Sequence, residues 1–128
     1  MNKQILTPVA AEQFIHGNLQ GLDHEECWAI YLSPSNTILS SEMLSKGTLT
    51  STAIDVRTVL RQALLHNAKS IILLHNHVSG DPLPSAHDIQ FTSRLKRACS
   101  LMDLTLLDHI IVAEQSFYSF SEERTISN

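Results

Sequence analysis

Strong compositional bias is absent from this chain of 128 residues. Its formal net charge is only −4, charged residues make up 17% of it, and hydrophobic residues make up 43%. Disordered proteins combine high net charge with few apolar residues, so this composition predicts a folded globular protein. The length suits a single domain, residues 1–128, with one hydrophobic core. DNA-binding modules normally carry a basic face, so the slightly acidic balance argues against a nucleic-acid partner.

Cysteine is scarce, and long apolar runs are missing. Cys27 and Cys99 lie far apart and form no C-x-x-C pair, so we expect buried thiols rather than a disulfide or a cysteine metal site. The sequence opens without a basic-then-apolar leader, and no apolar stretch approaches the length of a membrane span. We therefore expect a cytoplasmic protein that makes no membrane contact.

Hydrophobic periodicity predicts eight elements in the order α-β-β-α-β-α-β-β. Predicted helices cover residues 7–19, 53–67 and 85–101, and predicted strands cover residues 26–32, 37–44, 70–74, 105–113 and 117–120. The expected apolar face of the first helix contains Val9, Phe14, Ile15 and Leu19, and that of the third contains Ile89, Phe91, Leu95 and Ala98. This order predicts an α/β (α+β) domain with helices packed on a mixed sheet.

Chemically informative residues cluster around the only stretch rich in glycine and proline, residues 80–84. His75 and His77 are two apart where the apolar strand ends, so both imidazoles should point to the same side. Asp88 falls in the first turn of the following helix and can fold back toward them. Two imidazole nitrogens and one carboxylate oxygen suit a catalytic zinc site, which keeps its fourth position for water. The sequence thus predicts one zinc ion per chain and hydrolysis of an amide-type bond.

A metal-activated water also needs a base, and the oxyanion of the tetrahedral intermediate that it forms needs a hydrogen-bond donor. Glu42, an acidic residue in an otherwise uncharged predicted strand, is the expected general base. Ser85 could donate its hydroxyl hydrogen to the oxyanion of a tetrahedral intermediate.

Each of these residues also has a purely structural interpretation. Ser85 and Asp88 fit the spacing of a helix capping box. His75 and His77 could simply face a turn, and Glu42 could be a solvent-exposed strand residue. The joint pattern favours the metal site, since it falls on the strand-loop-helix context that such a site requires.

The run H-N-H-V-S-G-D-P-L-P-S-A-H-D, residues 75–88, resembles the JAMM motif of the JAB/MPN metalloprotease superfamily, and is most similar to its RadC-like branch. The likeness extends from about Thr37 to Phe120 and includes L-S-K-G-T-L at 44–49 and D-H-I-I-V at 108–112. The resemblance implies zinc ligands at His75, His77 and Asp88, a catalytic glutamate at Glu42 and an oxyanion-stabilising serine at Ser85.

The resemblance further implies a curved mixed β-sheet flanked by helices and the cleavage of peptide or isopeptide bonds in a protein or peptide substrate. The RadC-like branch also carries a DNA-repair label, so a repair-associated factor is an alternative. A non-catalytic binding module of the same fold is another. Val78 replaces the proline usual after the second histidine. Residues 1–24 leave room for a short helix and lead-in, but not for the helix-hairpin-helix segment that commonly precedes the RadC core.

Several residues near the motif receive no role from the sequence alone. His109 either packs in the core or supports a ligand, whereas His87 is expected to face solvent. Asn76 and Asp81 are turn residues, or they touch the substrate or orient a ligand. The sequence leaves the oligomeric state open, although exposed edge strands would be compatible with a dimer.

Overall fold

The computed structural model describes residues 4–5, 7–19, 21–47 and 53–123, and within residues 14–18 it describes the backbone alone. Phe14, Ile15, Thr48 and Leu49, which entered the sequence predictions, lie outside the described side chains. The helices are α1 (Pro8–Leu19), α2 (Val56–Leu65) and α3 (Ala86–Leu101). The strands are β1 (Glu26–Leu32), β2 (Ile38–Lys46), β3 (Ser70–Asn76), β4 (Thr105–Val112) and β5 (Phe117–Ser119). The predicted order of elements is confirmed.

The five strands form one open mixed sheet in the order β2-β1-β3-β4-β5. Only β3 and β4 are parallel, and every other neighbouring pair is antiparallel. Helices α2 and α3 contribute to the apolar cluster on one face, and α1 contributes to the cluster on the other. The predicted α/β class, a mixed sheet flanked by helices, is therefore confirmed.

Strand β3 lies at the centre of the sheet and is buried along its whole length. Ile71 and Leu73 enter the cluster shared with α2 and α3, while Ile72 and Leu74 enter the cluster shared with α1. This alternation is the pleat of a strand covered on both faces, which explains the continuous apolar run in the sequence. It also directs the next odd-numbered residue, His75, to the α2/α3 side.

Helix α3 connects the two parallel strands, so it begins at the edge of the sheet where β3 ends. Ser85 caps its first turn, and Asp88, Phe91 and Leu95 are buried against the sheet. The loop of the motif therefore lies at the carboxyl end of β3, with the helix N-terminus beside it.

Two details of the predicted apolar faces are wrong. Ile89 is 44% exposed and Val9 is 47% exposed. Adjacent helical residues are turned by about 100°, so the inward position taken by Asp88 leaves Ile89 outside. On α1 the described buried side chains are Ala11 and Leu19. Periodicity alone counts Ile89 as inward because it weighs apolar residues only, although Asp88 takes the buried position on that helix.

Strand β3 also runs two residues beyond its predicted end at Leu74, so that His75 lies inside the strand and His77 just after it. Among the described residues, no helix is long and apolar enough to cross a lipid bilayer.

The packing of α3 on the sheet gives a stability prediction. Leu95 is fully buried, so Leu95→Ala should lower the free energy of unfolding by about 2–5 kcal/mol through lost burial and a residual cavity. Leu101→Ala is the control, because Leu101 is 86% exposed and its truncation should change stability by no more than about 0.5 kcal/mol. Urea unfolding measures both, and equal effects would contradict this packing.

Candidate metal centre

The two motif histidines meet at the carboxyl end of β3. Their ring centroids are 4.8 Å apart, and the rings are nearly perpendicular at 88°. The backbone N–H of His77 donates to Val112 O at 2.9 Å, which continues the pairing with β4 past the end of the strand. His75 is almost completely buried, whereas the His77 side chain is 12% exposed. The pair is therefore held by regular sheet structure and opens toward solvent on the His77 side.

Asp88 faces both histidines from the first turn of α3. Its Oδ2 lies 3.1 Å from His77 Nε2, and its Oδ1 lies 3.3 Å from His75 Nδ1. Burial opposes ionisation of Asp88, but the close contact with the His75 ring and the hydrogen bonds from His77 and the Ser85 backbone hold the pKa of its carboxyl well below the ordinary value. The hydrogen bond to Asp88 correspondingly raises the pKa of His77 above its ordinary value, against the effect of burial.

The capping box and the ligand geometry exist together. Ser85 Oγ accepts a hydrogen bond from Asp88 N at 3.1 Å, and Asp88 Oδ2 accepts one from Ser85 N at 2.7 Å. The same carboxylate therefore caps the helix and contacts the histidines, and the two interpretations do not exclude each other. Ser85 is exposed, and its oxygen acts as an acceptor in the cap, so its hydroxyl hydrogen is free to serve a ligand.

A second carboxylate, which the sequence pattern did not reveal, reaches the same histidines. Glu25 Oε1 lies 3.1 Å from His75 Nε2. Glu25, His75 and His77 offer ligand atoms that all lie within 4.8 Å of one another, so these three residues form a group that could hold a metal ion. The only sequence signal for it was the acidic pair Glu25-Glu26 at the start of a strand predicted to be largely apolar.

Glu42 is placed elsewhere. It lies on β2 opposite Ala29 of β1, and its Oε1 accepts a hydrogen bond of 2.5 Å from the hydroxyl of Tyr31. Burial and this hydrogen bond raise the pKa of Tyr31. Because β1 lies between β2 and β3, one strand separates Glu42 from the strand of His75. The structure thus brings His75, His77 and Asp88 together with Glu25, whereas the Glu42 carboxylate is hydrogen-bonded to Tyr31.

The donor set fits a zinc ion. Among the described residues, His75 Nδ1 and Asp88 Oδ1 are buried polar atoms without a hydrogen-bond partner, since the contact between them lacks hydrogen-bond geometry. Buried unsatisfied polar atoms are rare and costly, and a bound ion is one way in which proteins satisfy them. Imidazole nitrogens and carboxylate oxygens are ligands that zinc accepts. Three such residues would leave a coordination position open.

The loop after β3 orients His77. Its Nδ1 lies 3.0 Å from Asp81 O, so the N–H on that side of the ring donates to the backbone. The opposite nitrogen, Nε2, is then the one directed at Asp88. Such a hydrogen bond to the far ring nitrogen is how metal-ligating histidines are usually held. Asp81 acts here through its carbonyl, while its side chain accepts from Leu83 N in the turn.

His109 is buried next to the candidate metal centre and is linked to it by hydrogen bonds. It is fully buried, its ring stacks on Phe120 at 4.8 Å, and burial lowers its pKa to about 3, so it is neutral. Its Nδ1 lies 2.6 Å from the hydroxyl oxygen of Thr92, and that hydroxyl donates a hydrogen bond to Asp88 O at 2.6 Å. His109 is thus linked to the backbone of Asp88 through Thr92. Asp108, its neighbour on the strand, instead accepts a hydrogen bond from the Ser119 hydroxyl.

Comparison with known proteins identifies the family. A sequence profile of the RadC-like JAB domain matches residues 5–125. The chain is 44% identical over 115 residues to a UPF0758 protein of Cupriavidus necator, which covers 90% of this chain and 50% of that protein. It is 43% identical over 102 residues to a UPF0758 protein of Flavobacterium johnsoniae, which covers 80% of this chain and 44% of that protein. A UPF0758 protein of Stenotrophomonas maltophilia is 38% identical over 120 residues, or 94% of this chain and 51% of that protein.

The chain therefore spans about half the length of these curated relatives. The matched profile covers nearly all of it, including both motif histidines, Asp88 and the Glu25 that faces them. By its sequence and by the fold that carries this centre, the chain belongs to the RadC-like JAB domain family.

Proposed function

We propose that this chain is a zinc-dependent hydrolase of the JAMM type that cleaves a peptide or isopeptide bond. The observation that carries the proposal is the meeting of His75, His77 and Asp88 with a further carboxylate, Glu25, at one edge of the sheet. Membership of the RadC-like JAB domain family supports it. The substrate class, a protein or peptide, belongs to the same proposal.

His75, His77 and Asp88 would hold the zinc ion, one per chain. When bound, zinc acts as a Lewis acid and lowers the pKa of a water molecule toward neutrality. The chain's own contribution begins with the arrangement of these ligands. Asp88 is already ionised because its pKa is lowered, and the hydrogen bond to Asp81 O directs His77 Nε2 inward.

Glu25 is the base we favour. Its carboxylate adjoins His75 Nε2, and its side chain is 17% exposed, so it is close to the centre and still reachable by a water molecule. A carboxylate so placed can take a proton from an attacking water and return it to the leaving amine. Glu42 remains the alternative predicted from the sequence, and its hydrogen bond with Tyr31 is the observation against it.

Ser85 would contribute the oxyanion contact. Its exposed hydroxyl lies at the helix N-terminus, beside Asp88. Since its oxygen already accepts from Asp88 N, the hydroxyl hydrogen can be donated to a developing negative charge without breaking the cap. Ser85 therefore combines the structural role of a cap with a role toward the substrate.

Zinc binding is the first prediction from this assignment. Purified protein should take up about one zinc ion per chain. His75→Ala or Asp88→Asn should weaken zinc binding by more than about 100-fold, because loss of a ligand costs more than loss of a residue that only hydrogen-bonds a ligand. Asp88→Asn retains a side-chain oxygen that can accept the hydrogen bond from Ser85 N, so the capping box of α3 is preserved. His87→Ala is the matched control, since His87 is exposed and belongs to the same motif. Metal analysis and chelator competition measure this, and a folded wild type that takes up no zinc would refute it.

Zinc affinity should also depend on pH. In the metal-free protein both ring nitrogens of His77 face acceptors, and the hydrogen bond to Asp88 raises the pKa of His77 above about 6.5. As the pH is lowered, protons therefore begin to compete with zinc for His77 while the pH is still above that value. Asp88, with its lowered pKa, stays ionised. Affinity should fall as the pH is lowered from about 8 to about 5.5, with proton release on zinc addition. Calorimetric zinc titrations test this, and a constant affinity across the range would contradict it.

Hydrolysis distinguishes the two candidate bases. At saturating zinc, Glu25→Gln should lower kcat by about 10²–10⁴-fold, because it removes proton transfer, whereas Glu42→Gln should change kcat by less than about threefold. A panel of peptide and isopeptide substrates with both variants provides the measurement. The reverse result would assign the base to Glu42. A zinc-loaded wild type that cleaves no member of the panel would favour the non-catalytic alternative.

A further inference from the structure

Asn76 separates the two motif histidines and is directed away from them. It is the last residue of β3, and the alternation of a strand turns its side chain to the face opposite His75. It is only 5% exposed. A carboxamide buried between two candidate ligands must have partners of its own, since polar groups inside a protein are costly unless they are hydrogen-bonded.

The side chain of Asn76 binds the backbone on both sides of Glu25. Its Oδ1 accepts a hydrogen bond from Glu26 N at 2.6 Å, and its Nδ2 donates one to His24 O at 2.9 Å. The regular pairing of β1 with β3 ends at the Cys27–His75 pair. The carboxamide therefore continues this pairing beyond the last ladder partners, with a side chain in place of a strand backbone.

These hydrogen bonds determine where Glu25 lies. Its neighbours on both sides are held by Asn76, and its own carbonyl accepts a hydrogen bond from Gly47 N at 2.6 Å. With the backbone fixed in this way, the Glu25 carboxylate reaches His75 Nε2 at 3.1 Å. Glu25 lies 50 positions before His75 in the sequence, so its approach depends on such long-range bonds.

We propose that Asn76 is a positioning residue that acts on hydrolysis through Glu25, by holding the backbone of residues 24–26 so that the Glu25 carboxylate faces the metal centre. This inference rests on the proposed function. The hydrogen bonds of the Asn76 side chain go to Glu26 N and His24 O in the lead-in to β1, and not to the ring nitrogens of His75 or His77. Its effect on the centre is therefore indirect.

The test is a double-mutant cycle of the full chain with Asn76→Ala and Glu25→Gln. In the wild-type background, Asn76→Ala should lower kcat by about 10-fold to 100-fold, since displacement of a catalytic group by about 1 Å has such an effect. In the Glu25→Gln background it should lower kcat by less than about twofold, because the carboxylate that it positions is already gone. Equal losses in both backgrounds would overturn the proposal.

Zinc affinity gives a second readout that does not depend on activity. A carboxylate beside the ligands supports metal binding by about 10-fold to 100-fold, so each single substitution should weaken zinc binding and the double variant should be no weaker than Glu25→Gln alone. If no substrate is cleaved but this coupling is found, the hydrolase function fails and the positioning role stands. Additive losses of zinc affinity would refute the positioning role even in an active hydrolase.

Two further variants make the cycle secure. Asn76→Asp retains the acceptor for Glu26 N but replaces the donor to His24 O by an oxygen that repels that carbonyl, so it should show a non-additive loss of the same kind as Asn76→Ala and tests the proposal if Asn76→Ala does not fold. Trp28→Phe is the matched control. It removes the 2.9 Å hydrogen bond from Trp28 Nε1 to the Glu26 side chain, in the same segment, and should leave kcat within about twofold. A loss with Trp28→Phe as large as with Asn76→Asp would attribute the effect to general loosening and overturn the proposal.

Discussion

The carboxylate of Asp88 is the constraint on which the rest of the centre depends. It is fully buried and yet ionised, which is tolerated only because two imidazoles and the backbone N–H of Ser85 converge on it. The same group caps α3 and faces the end of β3. One side chain thereby links the start of the helix to the end of β3 where the two histidines lie.

The proximity of His75, His77 and Asp88 could be predicted from the sequence because it is local. His75, His77 and Asp88 all belong to one strand-loop-helix segment, and the period of a strand and the first turn of a helix suffice to bring them together. The helices and strands were predictable for a related reason, since most of them show a strong apolar pattern. Ile89 shows the limit of such patterns, because an inward-facing aspartate displaced it from the buried face of α3.

The position of Glu25 could not be predicted in the same way. Glu25 and Glu42 are both acidic residues near strands of one predicted hairpin, and nothing in their local sequence tells which strand pairs with β3. The sheet order β2-β1-β3 decides it, because it puts β1 beside the histidines and β2 one strand farther away. Long-range pairing and the hydrogen bonds of Asn76 then bring Glu25 to the ring of His75. The meeting of His75, His77 and Asp88 follows from local geometry, whereas the approach of Glu25 follows from the order of the strands.

The start of α3 has an electrostatic consequence for any cation that would bind beside it. The macrodipole of this 16-residue helix places partial positive charge at its N-terminus, which by itself repels a divalent cation. Asp88 supplies a full negative charge at that terminus, and so it reverses the local potential that a cation experiences. A neutral side chain that preserved the cap would leave the repulsion in place. A helix N-terminus, normally suited to anions, could therefore adjoin a cation here because Asp88, the third residue of its capping box, is charged.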